Sequence, residues 1–154
     1  MEIERKYLID RLPEHLEDYP HSEIEQGYLN RQPVLRIRRR DDEYIFTYKG
    51  GGLMVRREEE FPLDEASYRH LREKIDGQLI QKTRYRIPLG SYTIELDVFH
   101  GSLAPLVLAE VEFPTVEEAN AFVPPDWFGE DVTMSGEYQN SRLSIADPAS
   151  LLPR

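Results

Sequence analysis

Charge in this chain is sorted by alternate positions, and that ordering limits the folds open to it. Residues 2–6 read Glu-Ile-Glu-Arg-Lys. As a strand, they place Glu2, Glu4 and Lys6 on one face, and Ile3 and Arg5 on the other. Same-face neighbours lie about 6.6 Å apart, close enough for two glutamates to share one hard divalent cation. An isolated charged stretch of this kind is ordinarily a solvated edge strand. Here the alternation recurs along the chain. Arg36, Arg38 and Arg40 alternate with Leu35 and Ile37, and Lys49 stands in line with Thr47. Arg56, Glu58 and Glu60 share a face, as do Lys82, Arg84 and Arg86. Glu95 pairs with Asp97, and Glu110 with Glu112. The opposite faces are largely Ile, Leu, Val, Phe and Tyr. A solvated sheet face would mix Ser, Thr, Gln and Lys rather than group one sign per strand.

About eight strands are expected, joined by short turns such as Asp41-Asp42-Glu43 and Gly50-Gly51-Gly52. Met54 to Leu63 is read as one of them, Leu79 to Pro88 as another, and Leu106 to Phe113 as the last. The triple glycine lacks the sequence of a phosphate loop. A short helical stretch is expected before Pro20. Further helices are expected over Glu65 to Ile75 with Asp64 as N-cap, over Thr115 to Phe122, and over Tyr138 to Ala146. The fold class is mainly β (α+β): an eight-stranded antiparallel closed barrel with a charged interior and helices packed outside. Such an interior is costly unless its charges are paired or bound. Lys and Arg together with carboxylates suit a polyanion plus divalent metal, as in phosphate chains with Mg²⁺ or Mn²⁺.

The 154 residues form one domain over 1–146, with a loose tail over 147–154. Net charge is −10, which argues against nucleic acid, although a local basic pocket can still attract phosphate. There is no cysteine, so disulfides, zinc–thiolate sites and thiol catalysis are excluded. With no secretory signal and no apolar run of membrane length, a cytoplasmic protein without membrane partners is expected. The four histidines (15, 21, 70 and 100) are read as surface residues.

These strands resemble the CYTH domain, or triphosphate tunnel metalloenzyme, family, in particular its short bacterial inorganic triphosphatases. Glu2 to Lys6 matches the hallmark ExExK, Arg36 to Arg38 the RxR strand, and Thr47 to Lys49 the TxK strand. Arg56 to Glu60 matches RxExE, and Lys82 to Arg84 resembles KxR. Glu95 to Asp97 resembles ExD, and Glu110 to Glu112 matches ExE. The resemblance implies metal-dependent hydrolysis of inorganic triphosphate inside the barrel by a monomer or homodimer. It assigns phosphate binding to Lys6, Arg36, Arg38, Lys49, Arg56, Lys82, Arg84 and Arg86. Metal binding falls to Glu2, Glu4, Glu58, Glu60, Glu95, Asp97, Glu110 and Glu112, with Lys6, Glu110 and Glu112 closest to catalysis. Cyclisation of ATP, hydrolysis of thiamine or nucleoside triphosphates, and non-catalytic binding of polyphosphate are the alternatives. Near the end, Val132 to Asn140 resembles the family's VTxD and (R/K)YxN segment, but Ser135 replaces an acid and Glu137 a base.

Overall fold

A computed structural model describes residues 1–145. The expected tail from 147 and the last residue of the expected terminal helix, Ala146, lie outside the described residues. In chain order the elements are β1 (Glu2–Leu8), β2 (His21–Arg31), β3 (Val34–Arg40), β4 (Glu43–Lys49), β5 (Val55–Arg56), β6 (Glu58–Leu63) and α1 (Glu65–Arg72). They continue with β7 (Asp76–Leu89), β8 (Tyr92–Phe99), β9 (Val107–Glu112), α2 (Val116–Ala121) and α3 (Asn140–Leu143). No helix among the described residues is long and apolar enough to cross a membrane.

Every strand pairing is antiparallel, in the order β5-β1-β9-β8-β7-β2-β3-β4-β6. The two ends of that order, β5 and β6, are separated in the chain by Arg57 alone. They therefore occupy one place on a ring, and the sheet closes into an eight-place barrel. The single strand read over Met54 to Leu63 is divided in two. Its second half continues the hairpin from β4, with Lys49 opposite Glu58. Its first half pairs across the closure with β1 through Glu2–Arg56 and Ile3–Val55, with one further backbone bond from Glu4 N to the Met54 carbonyl at 3.1 Å. The two pairings follow one another along the chain instead of lying on the two edges of the same residues. The change of partner falls at Arg57, which is exposed, pairs with Glu59 at 2.8 Å and stacks over Tyr48.

The two faces of the barrel wall are packed differently. Outside β1, β9, β8 and β7, the positions out of phase with the charges form an apolar layer. Tyr7, Ile87, Ile94, Leu96, Val111 and Phe113 pack there, beneath Ala119 of α2 and beside Phe122, Trp127 and Phe128. Inside, the charged rows run into apolar residues at one end. Tyr28, Ile80, Phe99 and Leu108 meet Leu103, Leu106, Val132 and Leu143 there. The barrel interior is thus plugged beside α3 and polar along the rest.

Helices are shorter than the sequence suggests. The first is a single 3₁₀ turn, Leu16–Asp18. α1 ends at Arg72, and Ile75 instead packs on Gly27, where a Cβ would lie 2.7 Å from Ile75 Cγ2. Glycine at that strand position admits the close approach. α3 is one turn. Asp64 does cap α1, accepting from Ser67 N at 2.7 Å. Asp64→Ala should lower the midpoint of urea denaturation, because the Ser67 N–H loses its acceptor.

Candidate active site

The polar part of the interior is a cavity of about 160 Å³. Its acidic wall comes from β1, β9 and β8, which contribute Glu2, Glu4, Glu110, Glu112 and Glu95. Its basic wall is β3, with Arg36, Arg38 and Arg40. In the ring order β3 lies opposite β9, so the two signs face each other across the lumen. Lys6, Lys49, Arg56 and Arg84 join the walls, with Glu58 and Glu60 from β6. All these side chains point inward because each strand keeps its polar residues in one phase of the pleat.

Pairing is uneven. Lys49 Nζ meets Glu2 Oε1 at 2.9 Å, and Lys6 Nζ meets Glu110 Oε1 at 3.4 Å. Arg84 binds both Glu95 at 2.8 Å and Asp97 at 2.7 Å. Among the described residues, Arg36 and Arg38 form no ion pair, although both are buried. Arg36 Nη2 donates to Thr47 Oγ1 at 3.1 Å, while its Nε is buried without a partner. Arg38 Nε donates to Gln26 Oε1 at 2.7 Å. Burial, with Arg36 and Arg84 nearby, pulls the Arg38 guanidinium down to about 9.

The acidic wall shows the converse strain. Burial, together with Glu110 and Glu2, holds the Glu4 carboxyl well above the usual carboxylate range. Burial and a hydrogen bond with Glu58 raise Glu2. Burial, Glu2 and Glu95 raise Glu112. Burial also pushes Glu110 upward, but Lys6, Arg84 and Lys82 outweigh it and keep this carboxylate well below its ordinary value.

The cavity wall therefore includes most of the side chains singled out in the sequence, but not three of them. Asp97 and Lys82 are fully buried, 2.7 Å apart. Both Asp97 oxygens are taken, Oδ1 by Arg84 and Oδ2 by Lys82 and Arg84. Burial and the neighbouring Arg84 and Arg38 pull the Lys82 ammonium down to about 7 against the attraction of Asp97. Arg86 donates to Ser22 Oγ at 3.0 Å and lines an adjoining cleft with Tyr92, Phe113 and Glu118, which shares Glu95 and Glu112 with the cavity. Arg40 lines the cavity although the binding set omitted it; its signal was its place in the β3 row. Tyr28, Val34, Gln139, Asn140 and Ser141 also line it, and uncharged residues carried no such signal. Ser135 and Glu137 are exposed. The closing segment reaches the site through neutral groups, with Lys6 Nζ donating to the Tyr138 carbonyl at 3.0 Å.

Comparison with known proteins agrees with this architecture. The CYTH domain profile matches residues 1–145. An inorganic triphosphatase of Nitrosomonas europaea is 40% identical over 153 residues, covering 96% of this chain and 99% of that protein. An inorganic triphosphatase of Acetivibrio thermocellus is 36% identical over 125 residues, 77% of each chain. Among solved structures, that of an inorganic triphosphatase superposes with a TM-score of 0.73 at 38% identity, covering 96% of this chain and 97% of the other. A Pyrococcus horikoshii protein shares the fold at 20% identity, with a TM-score of 0.58 over 96% of this chain and 92% of its own. With its charged barrel, its paired rows of acid and base and its full-length profile match, this chain belongs to the CYTH domain family.

Proposed function

We propose that the chain hydrolyses inorganic triphosphate to pyrophosphate and phosphate with a divalent cation, Mg²⁺ or Mn²⁺, the barrel acting as one unit. The observation that carries this reading is the facing of Arg36 and Arg38, buried without ion pairs, against a crowded carboxylate wall. Free guanidiniums suit phosphate oxygens, which they meet in paired hydrogen bonds. The names of the full-length relatives support the same substrate.

The carboxylates suit a divalent cation by their chemistry. Glu2 and Glu4 sit among like carboxyls, with Glu58 beside Glu2 and Glu110 beside Glu4, and burial with this crowding favours their protonated forms. A hard cation replaces such protons and accepts oxygen ligands of this kind. Among the described residues no three acidic or histidine side chains form a ready-made cage, so the glutamates must turn to hold it. Glu2, Glu4, Glu58, Glu60, Glu110 and Glu112 would supply the ligands, with Glu95 at the edge of the set. Asp97 stays with its two cations. When bound, the cation would neutralise phosphate charge and make a nearby water more acidic.

The chain's own groups do the rest. Arg36, Arg38, Lys49, Arg56 and Arg84 hold the phosphate oxygens and fix the chain for in-line attack on a terminal phosphorus. Glu112 would accept a proton from the attacking water on whichever oxygen the cation leaves free. Lys6 meets the charge that develops as the phosphoanhydride bond breaks. Glu110, kept ionised, holds Lys6 in place.

Phosphate release from tripolyphosphate, ATP, pyrophosphate and thiamine triphosphate, with Mg²⁺ or Mn²⁺ and with EDTA, tests the reading. Release from tripolyphosphate that EDTA abolishes is expected. Failure to release phosphate from any of the four would overturn it, and cyclic AMP from ATP would move the assignment to a cyclase. Arg38→Ala should raise the KM for tripolyphosphate about 10- to 100-fold, in line with the loss of hydrogen bonds to a charged partner. It should leave the melting temperature nearly unchanged, because it also removes a cation crowded by Arg36 and Arg84. An unchanged KM would place Arg38 outside the substrate path.

A further inference from the structure

β2 contributes no charged residue to the cavity wall, yet it carries a fully buried polar side chain, Gln26. Gln26 stands directly opposite Arg38 in the β2–β3 register, and opposite Ile80 on its other side. Its Oε1 accepts from Arg38 Nε at 2.7 Å, and its Nε2 donates to the Tyr28 hydroxyl at 3.2 Å. The orientation of the amide is fixed by chemistry. A guanidinium only donates, so the carbonyl end must face Arg38, and the amino end is left for the tyrosine oxygen. Tyr28 in turn is held by the apolar plug. The plug, Tyr28, Gln26 and Arg38 thus form one chain of contacts from a rigid core to a cationic group in the lumen.

We infer that Gln26 is a positioning residue for triphosphate binding: it clamps Arg38 through Nε, so that the two terminal nitrogens of the guanidinium are presented to phosphate. The inference rests on the proposed reading of the cavity. Glutamine suits this place for two reasons. An apolar residue would leave Nε unpartnered in a buried setting, with the guanidinium free to rotate. A carboxylate would accept from Nε equally well, but it would neutralise Arg38 and compete with the substrate for it. A neutral acceptor orients the cation while leaving its charge available to an anion. Arg36 makes a useful contrast. Among the described residues its Nε has no partner, and its contact to Thr47 uses Nη2, one of the terminal nitrogens. The two arginines are therefore held in opposite ways, and Arg38 is the one whose fork is directed as a unit.

The test is calorimetric titration of tripolyphosphate in EDTA into the wild type, Gln26→Met, Gln26→Glu, Arg38→Ala and the double variant Gln26→Met with Arg38→Ala. Melting temperatures are recorded alongside. Gln26→Met should weaken binding about 10-fold, and Gln26→Glu more strongly, because it cancels a charge. In the Arg38→Ala background Gln26→Met should change affinity less than about 2-fold, since the group it positions is gone. A merely structural role would instead lower the melting temperature and weaken binding equally in both backgrounds, which would overturn the inference. If Gln26→Met does not fold, Gln26→Asn decides in its place, because it stays neutral and polar but withdraws the acceptor from Arg38 Nε; wild-type affinity in that variant would overturn the clamp. If the wild type binds no tripolyphosphate in EDTA, the same variants are compared by KM with Mg²⁺; absence of hydrolysis there as well fails the reading of the cavity, and the inference falls with it. Wild-type binding that survives unchanged in every Gln26 variant overturns the inference alone.

Discussion

Glu4→Gln should reduce metal-dependent tripolyphosphate hydrolysis by at least about 100-fold while making the unliganded protein more stable at neutral and alkaline pH. The two effects share one cause. Glu4 is a carboxyl whose proton affinity is raised by burial and by Glu110 and Glu2. A group whose folded pKa lies above its unfolded value gives stability that is fully present below the unfolded pKa. That stability is lost as pH rises through the folded pKa. Above that point the wild type must hold an ionised Glu4 against its like-charged neighbours, and the folded state bears the cost. Glutamine carries no such charge, and its amide can still donate to Glu110. Thermal melts without metal should therefore place Glu4→Gln above the wild type at pH 8, with the gap closing near pH 4. Activity moves the other way because the amide is a poor ligand for a hard cation. Retained turnover with unchanged metal dependence would remove Glu4 from the ligand set, and a loss of stability at pH 8 would contradict the crowding.

The second large effect is structural. Asp97→Asn should cost about 3–5 kcal/mol, the usual penalty for removing one member of a buried ionic cluster. Among the described residues Asp97 is the one ion-pair partner of Lys82, it shares Arg84 with Glu95, and both of its oxygens accept hydrogen bonds. Its pKa is pushed up by burial but held below its ordinary value by Arg84 and Lys82. The stability it gives is thus present above its unfolded pKa and disappears as pH falls through the folded value. The expected drop in melting temperature is roughly 10 °C at pH 7 for a chain of this size, shrinking toward pH 3. Glu95→Gln is the control: Glu95 is a third exposed and should cost under about 1 kcal/mol. Equal melting temperatures for Asp97→Asn and the wild type would show that Lys82 sheds its proton and needs no counter-ion.

Parity along the strands carried most of the fold and the two opposed walls. Glu2, Glu4 and Lys6, or Arg36 and Arg38, each share a face, and the mostly apolar alternate positions, Arg5 and Arg39 apart, pointed those faces to a common interior. Parity does not encode depth. Asp97 and Glu95 look alike in sequence, as do Lys82 and Arg84, yet one of each pair is sealed beneath the cavity and the other reaches it. What separates them is the apolar residue next in phase. Phe99 follows Asp97, Ile80 precedes Lys82, and both belong to the plug. The charged rows thus signal where the lumen stops, but only by where they end. Gln26 was silent for a different reason: one uncharged residue in a strand has no distinctive periodicity, and its importance comes from the side chain across the ladder. The division at Arg57 was equally hidden, because a change of partner leaves the alternation of side chains nearly intact.

The join between β1 and β5 gives the barrel a clasp. Elsewhere neighbouring strands are laced by long ladders, such as the eight paired positions between β7 and β8. At the clasp there are two, and one of them sets Glu2 against Arg56. Loosening it would break fewer ladder hydrogen bonds than loosening any other join. Both signs of charge meet at that join, beside the Lys49–Glu2 pair. An occupant that engages Arg56 on one side and Glu2 on the other would fasten the hoop from within. Filling the lumen and finishing the wall would then be one event, and the snugness of the container would depend on its contents.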